Sequence, residues 1–411
     1  MWIPSSVDEI RRAITDGLAE SPWLDAKREM GATAEAAKDV AAMANEGGVL
    51  IYGVGENAEG QLDEICPLED LSRVEERISN AVRDLVHNPP AVHVSLLVES
   101  PGSTTGCLVV VVPRSPLAPH MVEGRRGGRY YGRVGTTTHR LTGSQVDQLL
   151  TRRSSLLWDA TSALVEAARW RGREPNEQEA AHGAVVVLVE PQVPSGALAS
   201  RAAGDSPVVG YLPEVFADVA ALIGGQDARN LAESTRAGYW QIGIDRYVTQ
   251  QAFEGVPNEY RIEVEVGRDG RVITRAGGAV TSMSFAAVQT EPRPWCNEWR
   301  IAEIVQATLA AAGRLFRDAG EFGQVRCSVR VDGLLGAGSL ILENARRTGT
   351  QRLLLFDQPR MFEDEYLRHT ETLVLEIVDN RKQVARLLLQ DLFEALAQGN
   401  YPSDLDPLAS H

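Results

Sequence analysis

Apolar and polar positions change their spacing several times along the first third of the chain, and each change predicts an element. Ser6-Val7-Asp8-Glu9 has the spacing of a capping box and opens a helix expected to run to about Ala19, before Pro22 breaks the pattern. Trp23 to Lys27 reads as a short strand, and strand alternation then puts Asp25 and Lys27 on one face. Ala34 to Ala44 is alanine-rich and predicts a helix, Asn45-Glu46-Gly47-Gly48 a turn, and the apolar run Val49 to Val54 a buried strand. A polar loop from Gly55 to Gly60 is expected to follow. Leu71, Val74, Ile78, Val82 and Leu85 recur at helical spacing, which predicts a helix over Asp70–Val86. Val92–Val98, Cys107–Val112 and Arg129–Val134 read as strands, and Thr142-Gly-Ser-Gln145 caps a further helix.

Past that point the pattern is interrupted. Gly172 to Pro175 and the Gly-, Ala-, Ser- and Pro-rich stretch from Pro191 to Ser206 mark a boundary, with a strand at Ala184–Glu190 between them. A helix near Pro213–Ile223, strands near Tyr260–Val266 and Val272–Arg275, and a long helix over Glu298–Phe316 come next. Strands are expected around 325–331, 339–343, 351–356 and 371–378, then a helix from Arg381 to Ala397. The fold class is therefore α/β, in the broad α+β sense. An N-terminal domain at 1–155, a helix and linker region at 156–210 and a mixed C-terminal α/β domain at 211–411 are expected.

Composition narrows the function classes. With 44% hydrophobic and 24% charged residues the 411-residue chain is an ordinary globular sequence. No apolar run approaches the length of a membrane span, and Met1-Trp2-Ile3-Pro4 shows neither part of a secretion signal, so a cytoplasmic protein is expected. Cys66, Cys107, Cys296 and Cys327 are scattered without a CxxC pair, which argues against a structural zinc or a disulfide framework. A net charge of −15 argues against a protein that coats nucleic acid indiscriminately, but leaves room for a local basic site.

One constellation can carry chemistry. Glu20 precedes the strand that holds Asp25 and Lys27, and Glu56 follows the next strand. If the two strands are neighbours, three carboxylates and an ammonium converge at one sheet edge. Hard oxygen ligands of this kind bind Mg²⁺ or Mn²⁺, which activates water and stabilises charge on an attacked phosphate. A lysine beside the cation can orient the water or neutralise the phosphate. The bland counterpart is a solvated helix end with a surface Asp–Lys pair, worth little energetically.

The blocks around these residues favour the first reading. Trp23-Leu-Asp-Ala-Lys27, Ala42-Met-Ala-Asn45-Glu-Gly47-Gly48-Val-Leu-Ile-Tyr-Gly53-Val54 and Tyr131-Gly-Arg133-Val134-Gly135-Thr136-Thr137 occur in this order. Together they resemble the Schlafen AlbA_2 family over about residues 20–140. The resemblance implies an α/β nucleic-acid-handling domain and, in nuclease members, a metal-dependent endoribonuclease acting on structured RNA such as tRNA. By that match Glu20, Asp25 and Glu56 would hold the Mg²⁺ or Mn²⁺ and Lys27 would assist at the scissile phosphate. Asp25 stands where the family usually has glutamate and Glu56 where it usually has aspartate, so one reach shortens by a methylene while the other lengthens. The resemblance further suggests a defence effector against phage, whose C-terminal half senses a trigger ligand or protein.

A basic loop supplies the expected grip on RNA. Arg114, Arg125, Arg126, Arg129, Arg133 and Arg140 are opposed only by Glu123, with Tyr130 and Tyr131 interleaved. Arginine forks onto phosphate and tyrosine stacks on unpaired bases. Arg133, Gly135 and Thr136–Thr138 offer a guanidinium, backbone N–H groups and hydroxyls, all suited to phosphate. The same loop also fits a solvated hairpin whose tyrosines pack on the core. Gly47-Gly48 allows a tight turn, and Gly53 and Gly55 flank a place where backbone could approach a ligand. A P-loop is absent, and Gly53-Val-Gly55 lacks the third glycine of a dinucleotide fingerprint. The amphipathic Glu298–Phe316 helix fits core packing or a homo-oligomer interface. The rival to a nuclease is a regulator that binds DNA, RNA or a nucleotide in the same domain without cutting.

Overall fold

The computed structural model describes residues 2–100, 102–124, 127–155, 160–170, 182–193, 196–249, 261–283, 292–347, 359–397 and 407. The chain divides into two compact units, Met1–Leu157 with Gly320–Gln324, and Trp158–Ala319 with Val325–His411. No helix among the described residues is long and apolar enough to cross a membrane.

The first unit runs α1 (Val7–Thr15), β1 (Leu24–Lys27), α2 (Thr33–Met43), β2 (Gly48–Tyr52), β3 (Val54–Glu56), β4 (Leu62–Ile65), α3 (Leu71–Leu85), β5 (His93–Val98), β6 (Gly106–Val112), β7 (Met121–Val122), β8 (Arg129–Val134), β9 (Thr137–Arg140) and α4 (Gly143–Ser155). A four-stranded sheet in the order β1-β2-β6-β5 forms its centre, with β1 parallel to β2 and the other pairs antiparallel. Both faces of β2 and β6 are covered, which is why those strands read as unbroken apolar runs. Leu50, Tyr52, Leu108, Val110 and Val112 pack with α2 and α3 residues on one face. Val49, Ile51, Cys107, Val109 and Val111 pack with α1 residues on the other.

Local chemistry sets the ends of these elements. The Glu9 N–H donates to Ser6 Oγ at 3.3 Å and Glu9 Oε2 accepts from the Ser5 N–H at 2.7 Å, so α1 starts as the capping spacing predicts. Helix α2 closes where the Gly47 N–H donates to the Met43 carbonyl at 2.7 Å, with Gly47 at φ +83°. A Cβ on the next residue, Gly48, would stand 2.6 Å from Met43 Sδ, so helix and strand meet there through bare backbone.

The strand predicted to continue to Val54 ends at Tyr52. Gly53 adopts φ +91° and lies where a Cβ would be 3.1 Å from the Gly106 carbonyl oxygen and 3.3 Å from that of Cys66. Its freedom serves a turn against the protein's own backbone. Gly55 sits beneath the Arg28 guanidinium. Beyond the turn, Val54–Glu56 pairs antiparallel with β4, so the expected polar loop is a hairpin that presents Glu56.

The second unit contains α5 (Ala160–Ala167), β10 (Gly183–Pro191), α6 (Leu198–Ala203), α7 (Val208–Ile223), α8 (Gln226–Ser234), β11 (Trp240–Ile242), β12 (Arg246–Thr249), β13 (Ile262–Gly267), β14 (Val272–Met283), β15 (Arg293–Cys296), α9 (Glu298–Asp318), β16 (Gln324–Asp332), β17 (Gly338–Ser339), α10 (Leu340–Arg347), β18 (Glu365–Leu373), α11 (Val374–Asp379) and α12 (Arg381–Ala397). A nine-stranded sheet runs through it, and β10 lies between β14 and β16 inside that sheet. Residues 183–191, expected within a connecting region, therefore supply an interior strand. The core of the unit gathers on α9, whose Ile301, Ile304, Val305, Leu309, Leu315 and Phe316 are buried.

Two expected strands differ. The one at 339–343 is the start of α10, because Ser339 Oγ accepts from the Leu342 N–H at 3.1 Å and Glu298 Oε2 from the Leu340 N–H at 3.2 Å. These caps outweigh the strand propensity of the apolar run. The one at 371–378 is the end of β18 followed by α11, whose buried residues Val374 and Ile377 stand three apart, a helical spacing. The strand expected at 351–356 lies outside the described residues.

Candidate functional site: an acidic cleft in the N-terminal unit

Strand β1 is an edge strand, and alternation divides its side chains. Leu24 and Ala26 enter the core with α1, while Asp25 and Lys27 turn to the other face. On the open edge, the Ala26 N–H donates to Glu20 Oε1 at 2.7 Å, which fixes the Glu20 carboxyl beside the strand. The β3–β4 hairpin brings Glu56 to the same place, within hydrogen-bonding reach of Glu20. Burial first, then the shared contact with Glu56 and the nearby Asp25 charge, push Glu20 up to about 8, against the pull of the Ala26 N–H. At neutral pH a proton is thus held in the Glu20–Glu56 pair.

Asp25 has different company. Its Oδ2 lies 3.2 Å from Lys27 Nζ and 3.3 Å from Arg133 Nη1, and the Asp25 and Arg133 side chains are almost wholly buried. Arg133 Nη2 also donates to the Thr136 carbonyl at 2.9 Å, so both terminal nitrogens of the guanidinium are engaged inside the protein, while its buried Nε has no hydrogen-bond partner. Asp39, from α2, adds a fourth carboxylate 3.5 Å from Lys27 Nζ and accepts from Thr138 Oγ1 at 3.0 Å. Burial alone would lower the Lys27 ammonium, but the facing Asp39 and Asp25 carboxylates outweigh it and hold its pKa above the ordinary lysine value. Burial and Asp25 raise Asp39 in turn, against the pull of Lys27 and Thr138. The Tyr52 hydroxyl is buried without a hydrogen-bond partner and is pushed upward by burial and the same two carboxylates.

These groups share an open cleft of about 1060 Å³. Glu20, Asp25, Lys27, Glu56, Arg133 and Thr136 all border it, so six residues singled out from sequence converge. The three carboxylates expected around one metal do not form a ready trio. Among the described residues no group of three Asp, Glu, His or Cys side chains could hold a metal ion. The strand explains why: Asp25 is directed to Lys27 and Arg133, whereas Glu20 and Glu56 gather at the open edge. Two hard donors, Glu20 and Glu56, fit a divalent cation, since Mg²⁺ commonly takes one or two carboxylates and fills its remaining positions with water and phosphate.

The expected basic grip is partly dispersed. Arg114 pairs with Glu46 at 3.2 Å and does not border the cleft. Tyr131 packs against the Ala37, Ala41, Val86 and Val122 cluster, with Lys38 5.8 Å from its ring centroid. Arg129 opposes Val122 in the β7–β8 pair and is not among the residues bordering the cleft. Arg125 and Arg126 lie outside the described residues.

Thr137 and Thr138, expected with Thr136 to offer hydroxyls to phosphate, also border the cleft, as do Asp39 and Tyr52, which sequence reasoning did not single out. Asp39 did leave a signal. It stands three residues after Ala36 and four before Met43, both buried, so helical spacing alone puts an acid on the inward face of α2. The hairpin β8–β9 reaches that helix through the Thr138–Asp39 bond and through Asn45 Nδ2, which donates to the Tyr131 carbonyl at 2.8 Å. The three sequence blocks are thereby tied together: strand β1, the α2–β2 turn and the β8–β9 hairpin build the cleft.

No curated protein and no solved structure matches the chain. The family model described as Schlafen, AlbA_2 matches residues 20–142, the segment that carries all the cleft residues named above. Residues 20–142 are a Schlafen AlbA_2 domain, which links the chain to nucleic-acid-related function.

Proposed function

We propose that the AlbA_2 cleft binds and cuts RNA, with structured RNA such as tRNA as substrate and Mg²⁺ or Mn²⁺ as cofactor. The observation that carries this reading is the Glu20–Glu56 pair, two carboxyls held together in the cleft that Lys27 also borders. Such a pair is costly to ionise unless a cation joins it. When bound, the cation would lower the pKa of its water and stabilise charge on the attacked phosphate. Glu20 and Glu56 would hold it. Lys27 is about one-third exposed, so its Nζ can meet a phosphate oxygen from the cleft side. The hydroxyls of Thr136 and Thr137 offer hydrogen bonds to the RNA backbone. Arg133, almost fully buried, acts as a positioning residue that orients Asp25 and through it Lys27.

One observation favours the rival regulator: the carboxylate trio is not assembled, and a binder needs only the cleft's donors. Purified protein incubated with total tRNA and Mn²⁺ or Mg²⁺, beside EDTA and a Glu20→Gln/Glu56→Gln double variant, separates the two. Discrete fragments that disappear in both controls are expected of the nuclease. RNA that stays intact and bound in wild type and variant alike replaces the nuclease with the regulator.

A further inference from the structure

The second unit contains a cavity that the AlbA_2 reading does not use. Helices α7, α9 and α11 and the first residue of α12 line a half-open pocket of about 270 Å³. Val219, Ile377 and Val378 provide an apolar wall, and Arg314, Arg317 and Arg381 provide three guanidinium groups. Two of the three are matched. Arg314 pairs with Asp218 and approaches Asp318 at 3.4 Å, and Arg317 approaches Asp318 at 3.6 Å. Tyr211 holds Asp318 in place by donating its hydroxyl at 2.8 Å.

Arg381 is different. No carboxylate among the described residues pairs with it, and its Nε is buried without a hydrogen-bond partner. Burial holds its pKa below the ordinary arginine value. A dehydrated donor of this kind costs free energy that only an acceptor restores. In a chain of net charge −15, a concave site with three arginines against two carboxylates is a local reversal of sign.

We propose that this cavity binds a small organic anion, with its carboxylate or phosphate on Arg381 and its apolar body against Val219, Ile377 and Val378. The volume would hold about nine waters at ~30 Å³ each, which suits one ring or a short hydrocarbon chain. The proposal stands apart from the nuclease reading, since no residue of the AlbA_2 cleft takes part.

Phenyl phosphate is the probe, with inorganic phosphate and benzyl alcohol as its anionic and apolar halves, titrated calorimetrically into the full chain. Phenyl phosphate is expected to bind at least tenfold more tightly than either half. Arg381→Gln should weaken it at least tenfold, the loss of one charge-assisted contact. Leu222→Glu, at an exposed position bordering the cavity, should do the same by placing a negative charge there, and its surface location leaves folding intact. Lys27→Ala, in the other unit, should leave the affinity unchanged and so exclude phosphate binding in the AlbA_2 cleft. Binding that survives both Arg381→Gln and Leu222→Glu, or inorganic phosphate binding as tightly as phenyl phosphate, overturns the proposal. So does an absence of binding at millimolar probe.

Discussion

Arg133 and Asp25, far apart in the sequence, meet at 3.3 Å with both side chains almost fully buried. The contact joins the β8–β9 hairpin to edge strand β1 and so closes the cleft wall. Removing Arg133 leaves Asp25 with Lys27 as its remaining partner, so the cost stays below the roughly 3–5 kcal/mol of a fully stranded buried charge. Arg133→Ala is therefore expected to destabilise the N-terminal unit by about 1–3 kcal/mol, the cost of a lost buried charged contact, and Arg133→Lys to recover part of that loss. Hydrogen exchange of β1 and α2 amides reports it locally. Protection equal to wild type in Arg133→Ala would show that the pair does not hold the wall.

The raised Glu20 carboxyl predicts an unusual pH dependence. Its ordinary value is 4.5 and its folded value about 8, so between these limits the folded chain binds a proton that the unfolded chain has released. Stability then falls as pH rises through that window, the reverse of a salt-bridged carboxylate. Exchange protection in the N-terminal unit should drop from about pH 5 to about pH 8 in wild type, and this component should vanish in Glu20→Gln. A protection profile unchanged by that substitution rules out the shared proton.

The same proton gives a test of the metal that does not depend on activity. A cation held by Glu20 and Glu56 must displace it, so binding at neutral pH should release about one proton per cation. Mn²⁺ titrations in two buffers of different ionisation enthalpy should therefore give different heats. Glu20→Gln should remove the difference and weaken binding. Equal heats in both buffers for the wild type would mean that the cation, if bound, sits elsewhere.

Much of this site was legible before the structure. Alternation along Leu24–Lys27 put Asp25 and Lys27 together, and the apolar run of β2 put its neighbour Glu56 near the same edge. What could not be read was the direction each carboxylate takes. That depends on the Ala26 N–H at the free edge, on the turn at Gly53, and on Arg133 arriving from a distant hairpin. These are tertiary contacts with no periodic signature. For the same reason Arg114 and Tyr131, which look like nucleic-acid ligands in a basic sequence, find Glu46 and an apolar cluster instead. In the second unit the failures at 339–343 and 371–378 arise where caps or burial spacing turned short apolar runs into helix.

Asp39 offers the sharpest separation of electrostatics from architecture in the cleft. Its carboxylate both faces Lys27 at 3.5 Å and anchors the β8–β9 hairpin through Thr138. Asp39→Asn keeps an oxygen for Thr138 but removes the charge that competes with phosphate for Lys27. Single-stranded RNA should then bind more tightly by ~1 kcal/mol, about fivefold, the scale of one charge in a water-exposed cleft. Asp39→Ala removes the anchor as well, so exchange in β8 and β9 should quicken there but not in Asp39→Asn. Fluorescence anisotropy at fixed salt, read beside exchange on both variants, makes the comparison. If Asp39→Asn leaves RNA affinity unchanged while the hairpin stays protected, phosphate does not approach Lys27, and the grip must lie elsewhere on the domain.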